Sequence, residues 1–422
     1  MKTTTRLLFT LMLMDSASAY QLHEWGTFTT VSGSDGVLLT GLQREEEILP
    51  PFVHSHFGME NGQAPSIKEF NRMIQHHGTP GFGPPLSKGM GERPVSGVTV
   101  KMETPVIYFH SDKALQASVK VGFEGGTISQ WYPERSGGEL LPEPAAPSDP
   151  KKSPTPVEKW NIDFSKTYRG SIEWKVDVLS PQESAEAITF KPRDSVNWLR
   201  ARVPGANVVR TSNGELENYL FYRGIGNFQP GLVTRVSSDE TLQLENQSDG
   251  DIPFALAFES KEGKVRWHEL RKGISKGASA SIAEAQWTDI PAGFASTIYQ
   301  ALRTGLAESG LTIAEADAMV QTWWTSYFER DGLRVFWIVP RSVTDRVLPL
   351  SVEPVPDRIV RTLVGRSEVL RPREERLWLA ASQETDVKAQ PWNNLVNTDR
   401  FGLSIQERIR ALASQTAGGA SR

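Results

Sequence analysis

Apolar and polar residues along this chain alternate or cluster in short runs until about residue 290, where the period lengthens to that of helices. Residues 20–31 (YQLHEWGTFTTV) are rich in aromatic and β-branched side chains and stop at Ser32-Gly33-Ser34-Asp35-Gly36, which predicts a strand ended by a turn. Residues 98–111 (VTVKMETPVIYFHS) and 115–123 (LQASVKVGF) predict the two arms of a hairpin, and 127–132 (TISQWY) a third strand. Seven prolines between Pro133 and Pro156 predict an exposed loop or linker. Over 160–290, runs such as SIEWKVDVL, LENYLFYRG, LVTRVSS and ETLQLENQ are divided by turn residues, as in a β-sandwich or a large antiparallel sheet. Lys261-Glu262-Gly263-Lys264 is a hairpin turn between two such runs.

Helical spacing appears once early, over 66–77 (SIKEFNRMIQHH), with Ser66 as N-cap and Gly78 as its stop. It returns at 291–309, where Ile298, Leu302 and Leu306 share a face. Thr312 with Glu315 forms the capping box of a further helix, and Ile313, Ala316, Val320, Trp323 and Tyr327 supply its apolar stripe. LRVFWIVP (333–340) predicts a strand buried on both faces. Prolines 349, 354 and 356 interrupt the next stretch, IVRTLVGRSEVL predicts another strand, and 373–382 and 404–413 predict closing helices. The expected fold is α+β: a β-rich body of sandwich-like antiparallel sheets, then a helical pair and a mixed C-terminal part. The expected divisions are 1–19, 20–132, 133–157, 158–290 and 291–422.

Composition narrows the chemistry. Lys2 and Arg6 precede an apolar stretch from Leu7 to Met14, and Ala17-Ser18-Ala19 has the A-x-A form of a signal-peptidase site, so residues 1–19 read as a secretory signal and the mature chain as secreted or periplasmic. No run is long enough to span a bilayer. The absence of cysteine excludes disulfides, thiolate metal sites and cysteine nucleophiles. A formal net charge of −4 argues against nucleic acid as a partner. No G-x-S-x-G elbow and no phosphate-binding GxxxxGK[ST] loop occur, and Gly224-Ile225-Gly226 lacks the third glycine of a dinucleotide site, so neither nucleotide nor flavin is expected.

Histidine is the unevenly distributed residue. Six of the seven (His23, His54, His56, His76, His77 and His110) lie between residues 20 and 110. In an extended segment His54 and His56 face the same way, the geometry for chelating one ion. His23 and one of His76 or His77 are the expected remaining ligands of a divalent ion, zinc first, since imidazole with oxygen ligands replaces thiolate where cysteine is absent. Glu24 and Glu103 are carboxylates near in sequence to His23 and His110, and either is expected to supply oxygen coordination or the catalytic base. His-x-His alone is a weak motif, paired histidines at a helix end also serve to stabilise that end, and H-E-x-x-H is absent at both His23 and His268. A second surface is aromatic: Trp25, Trp131, Tyr132, Tyr219, Tyr222, Trp267 and Trp287 fall on or beside strands, where exposed rings would stack on sugars and buried ones would be core.

LHEWGTFTT, METPVIYFHS, ISQWYP, NYLFYRGIG and the block from WWTSYFERDGLRVFWIVPRSVTD to LVGRSEVL together resemble a group of exported bacterial proteins without an assigned activity. The resemblance spans most of the mature length and implies one recurrent architecture, with no reaction or ligand attached. The function expected from the residues is an exported metal-dependent enzyme, hydrolytic in type, acting on a small molecule or glycan. The alternative is a non-catalytic envelope protein that holds glycan or protein on its β-rich body.

Overall fold

The computed structural model describes residues 20–42, 49, 53–55, 97–139, 168–187, 200–203, 205–290, 295–383 and 401–419. The expected signal at 1–19, the helix at 66–77, most of the proline-rich segment, and His56, His76 and His77 lie outside the described residues.

In chain order the first strands are β1 (Tyr20–Ser32), β2 (His54–Ser55), β3 (Val100–Met102), β4 (Val106–Ser111), β5 (Leu115–Glu124), β6 (Gly126–Tyr132), β7 (Arg169–Val178), β8 (Val209–Thr211), β9 (Leu216–Glu217) and β10 (Leu220–Gly226). They are followed by β11 (Leu232–Val236), β12 (Leu242–Asn246), β13 (Ala255–Lys261), β14 (Lys264–Leu270), β15 (Ser279–Ile282), β16 (Thr288–Ile290), β17 (Gly332–Ile338), β18 (Leu350–Glu353) and β19 (Arg358–Val369). The helices are α1 (Pro181–Ala187), α2 (Ala295–Glu308), α3 (Ile313–Phe328), α4 (Arg341–Val347), α5 (Pro372–Gln383) and α6 (Gly402–Gly419). This is the β-rich α+β fold that the residue pattern predicts.

Among the described residues sixteen strands form one sheet, whose main path runs β16-β14-β13-β17-β19-β1-β3-β10-β6-β7-β5-β18. A separate sheet contains β11, β12 and β15. The large sheet draws strands from 20–132, from 158–290 and from 291–422, so its ladders cross each of those expected divisions. At its centre β1 pairs in parallel with β19, placing His23 beside Val360 and Glu24 beside Arg361. Its other edge takes β3 and β4 in antiparallel register, with His23 opposite Tyr108 and Gln21 opposite His110.

The hairpin expected between 98–111 and 115–123 is not formed. Residues 98–111 divide into β3 and β4, β4 pairs with β1 and β10, and β5 pairs with β7 and β18. Burial explains the exchange. All but one residue of β4 is buried, which suits a slot between two strands with both faces covered, whereas β5 alternates buried and wetter positions. The turn at Glu262 and Gly263 does close the β13–β14 hairpin, with both residues at positive φ.

Because side chains alternate along a strand, β1 separates two cores. Leu22 and Phe28 join a cluster with Trp174, Tyr222 and Trp337. Trp25, on the opposite face, joins Tyr108, Phe336 and the apolar stripes of α2 and α3, including Ile298, Leu302, Trp323 and Tyr327. A smaller cluster sets Phe401, Ile405 and Ile409 of and beside α6 against Val31 and Ile225. Gly365 allows the close approach of β17 to β19: a Cβ there would sit 2.2 Å from the Trp337 ring. The α2–α3 pair is therefore laid on the face of β1 that carries His23.

Candidate metal centre

His23 and His110 reach one another through strand pairing. Gln21 lies directly opposite His110, so His23 is its diagonal neighbour across the β1–β4 ladder, on the same face. Their rings stand 4.7 Å apart, inclined at 58°. Over them lies the first turn of α3. Thr312 is its N-cap, and Glu315, three residues on, completes a capping box: the Thr312 N–H donates to Glu315 Oε2 at 2.8 Å and the Glu315 N–H to Thr312 Oγ1 at 3.2 Å. A carboxylate in that turn also meets the positive end of the helix dipole.

Glu315 is the point at which the cluster converges. His23 Nδ1 lies 3.0 Å from Oε1 and 2.9 Å from Oε2, and His110 Nε2 lies 3.0 Å from Oε1. One ligating atom from each of the three residues falls within 4.8 Å of the others, a set able to hold a metal ion. The Glu315 side chain is 0% exposed and that of His110 23%, so the cluster opens to solvent on the His110 side. Burial pushes the Glu315 carboxyl up, but the hydrogen bonds from His110 and His23, the charge of His23 and the Thr312 N–H outweigh it and hold the pKa down at about 2. The group is thus a carboxylate ready to ligate. His23 Nε2 is buried without a hydrogen-bond partner among the described residues. Beneath the cluster Tyr108 donates its hydroxyl to Ala201 O at 2.6 Å. Burial, and behind it the neighbouring Tyr219, Glu315 and Glu217, push that hydroxyl well above its ordinary pKa, so it stays protonated.

The other expected site residues stand elsewhere. Glu24 follows His23 in β1 and so points to the opposite core. There it accepts from Tyr222 OH at 2.6 Å and is ion-paired with Arg361, leaving neither oxygen turned toward the histidines. Glu103 pairs with Lys101 at 3.2 Å, and its backbone N–H bonds Thr27 O. That places it about 13 Å along β1 from His23, at about 3.3 Å per residue. His54 on β2 is separated from β1 by β4, β10 and β6, about 19 Å along the sheet at about 4.8 Å per ladder. Its Nε2 lies 2.9 and 3.1 Å from the oxygens of Glu215 and its Nδ1 3.2 Å from Glu134, while the ring stacks on Trp131 and Tyr132. Of the expected ligands in the described residues, then, His23 belongs to the cluster and His54 does not. Neither Glu24 nor Glu103 is placed to act as its base.

His110 and Glu315 are the members that spacing in the sequence misses. His110 carries one usable signal, the alternation that puts it on one face of β4 with Tyr108. Glu315 reads only as a capping residue, because 292 positions separate it from His23. The aromatic surface also changes character: Trp25, Trp131, Tyr219 and Tyr222 are buried in the cores, and Tyr132, Trp267 and Trp287 are half-buried.

Comparison of the chain with models of known protein families gives no match, and comparison with curated proteins gives none. What the fold and the cluster define is a β-rich protein carrying two imidazoles and one carboxylate close enough together that they could hold a metal ion.

Proposed function

We propose that this is an exported metal-dependent enzyme of hydrolytic type, in which His23, His110 and Glu315 hold a divalent ion, zinc first. The observation that carries the reading is the meeting of two imidazole nitrogens at Oε1 of one buried carboxylate. Two nitrogens and one oxygen are a donor set of catalytic zinc sites, which keep a further position open for water or substrate. When bound, a divalent ion supplies Lewis acidity and lowers the pKa of its water toward neutrality. The chain's own residues do the rest. Glu315 neutralises charge and, through its helix cap, fixes the direction of approach. His110 borders solvent and defines the side on which substrate would arrive. Trp25, Tyr108 and Leu311, packed in the surrounding apolar core, keep water from the remaining sides. Export rests on the pattern of residues 1–19.

Without an ion each imidazole donates an N–H to Glu315, so ligation requires each ring to present a lone pair at that nitrogen instead, by moving its proton to the other ring nitrogen or by losing one. The test is metal analysis and zinc titration of untagged protein. Near-stoichiometric zinc and a stabilisation of about 2.7 kcal/mol at a free ion concentration of 100 Kd are expected. Metal-free protein whose melting is indifferent to zinc, cobalt, manganese and iron(II) sinks the reading. The hydrolytic part is tested by screening ester, amide, phosphate and glycosidic substrates with the loaded protein and with Glu315→Ala. A turnover equal in both rejects it.

A further inference from the structure

We infer that Thr312 is the positioning residue of this centre: its capping box locks Glu315 so that Oε1 is offered to both imidazoles before any ion arrives. The inference rests on the metal-binding reading above. Oε1 is the converging oxygen, 3.0 Å from His23 Nδ1 and 3.0 Å from His110 Nε2. Oε2 is shared between His23 Nδ1 and the backbone N–H of Thr312. The Thr312 hydroxyl takes the Glu315 backbone N–H in return, so one residue grips Glu315 at both ends.

This matters because a glutamate side chain has three free torsions, and immobilising it costs up to about 1.5–2 kcal/mol. Most ligating carboxylates are oriented by polar neighbours for this reason. Here the cap provides that orientation, and no other described side chain does so apart from the two histidines themselves. Threonine at 312 therefore serves two ends at once, starting α3 and aiming its carboxylate. Alanine removes the hydroxyl, releases the Glu315 N–H and loosens the first turn, even though the backbone N–H of residue 312 remains.

The experiment compares wild type, Thr312→Ala, Thr312→Ser and Thr312→Asn in the full chain. Zinc affinity is read by competition titration, the visible spectrum of saturated cobalt protein reports ligand geometry, and melting of the metal-free forms reports folding. Thr312→Ala is expected to lower zinc affinity about tenfold, the low end of the effect of removing a group that orients a ligand, and to change the cobalt spectrum. Serine and asparagine, both competent caps, are expected to restore affinity and spectrum. An alanine variant that melts lower but keeps wild-type affinity and an unaltered cobalt spectrum assigns Thr312 to helix stability alone and overturns the inference. So does a serine variant as defective as alanine. Wild-type protein that takes up no metal overturns the reading beneath it, an outcome visible before any variant is made.

Discussion

Two histidine and carboxylate clusters on the same sheet are built in opposite senses. At the β1–β4–α3 junction two imidazoles share one carboxylate, so their nitrogens point at a common oxygen. At β2 and β6 one imidazole lies between two carboxylates, and its nitrogens point away from each other toward Glu215 and Glu134. Both contain histidine and glutamate at hydrogen-bond distance, yet only the first brings three ligating atoms to one place. Composition and pairwise distance therefore do not separate the two clusters; convergence does. Burial deepens the contrast. Glu315 is fully enclosed, while Glu134 and Glu215 are partly wet and the surrounding solvent weakens their pairing.

The comparison breaks first at Glu315. Structural zinc sites of four ligands bind with about 10–16 kcal/mol, so one lost ligand costs roughly a quarter of that, on the order of 100-fold or more in affinity. Glu315→Gln is expected to show that loss by zinc titration, and Glu215→Gln to show none. Equal losses would erase the distinction between the two clusters.

An effect of comparable size comes from pH. The Glu315 carboxyl is held at about 2 against an ordinary 4.5. A depressed folded pKa contributes stability that is present above the ordinary value and lost as pH falls through the folded one. Metal-free protein should therefore lose up to about 3 kcal/mol between pH 4.5 and pH 2 through this group. Denaturant melts across that window should be less steep in Glu315→Gln than in wild type. An acid limb unchanged by the substitution would mean the histidines do not hold the charge.

Smallest is His54→Ala. A partly exposed ion pair contributes about 0–1 kcal/mol, so a melting shift of a few degrees or less is expected, with zinc affinity unaltered. A tenfold fall in zinc affinity on this substitution would return His54 to the proposed ligand set.

How much was legible follows from the range over which each interaction acts. The alternation in YQLHEWGTFTTV marks β1; the same alternation turns Glu24 away from His23, which nearness in sequence overlooks. The Thr312–Glu315 box is local and readable as a helix start. Even His110 could be placed on a face of its own strand. What spacing does not carry is partnership. The 112–114 connection invites a hairpin between β4 and β5, but burial on both faces sends β4 between β1 and β10. His54 is close to His23 in sequence and four ladders away in space.

Local propensity and hydrophobic period, which act within a turn or a strand, determined the elements and their order, and composition the supply of histidine in a chain without cysteine. Tertiary structure alone decided which donors meet. Laying α3 across β1 and β4 joins residues 292 and 205 positions apart at a single carboxylate. That contact depends on apolar faces packing together, a force proportional to buried area and blind to chain distance.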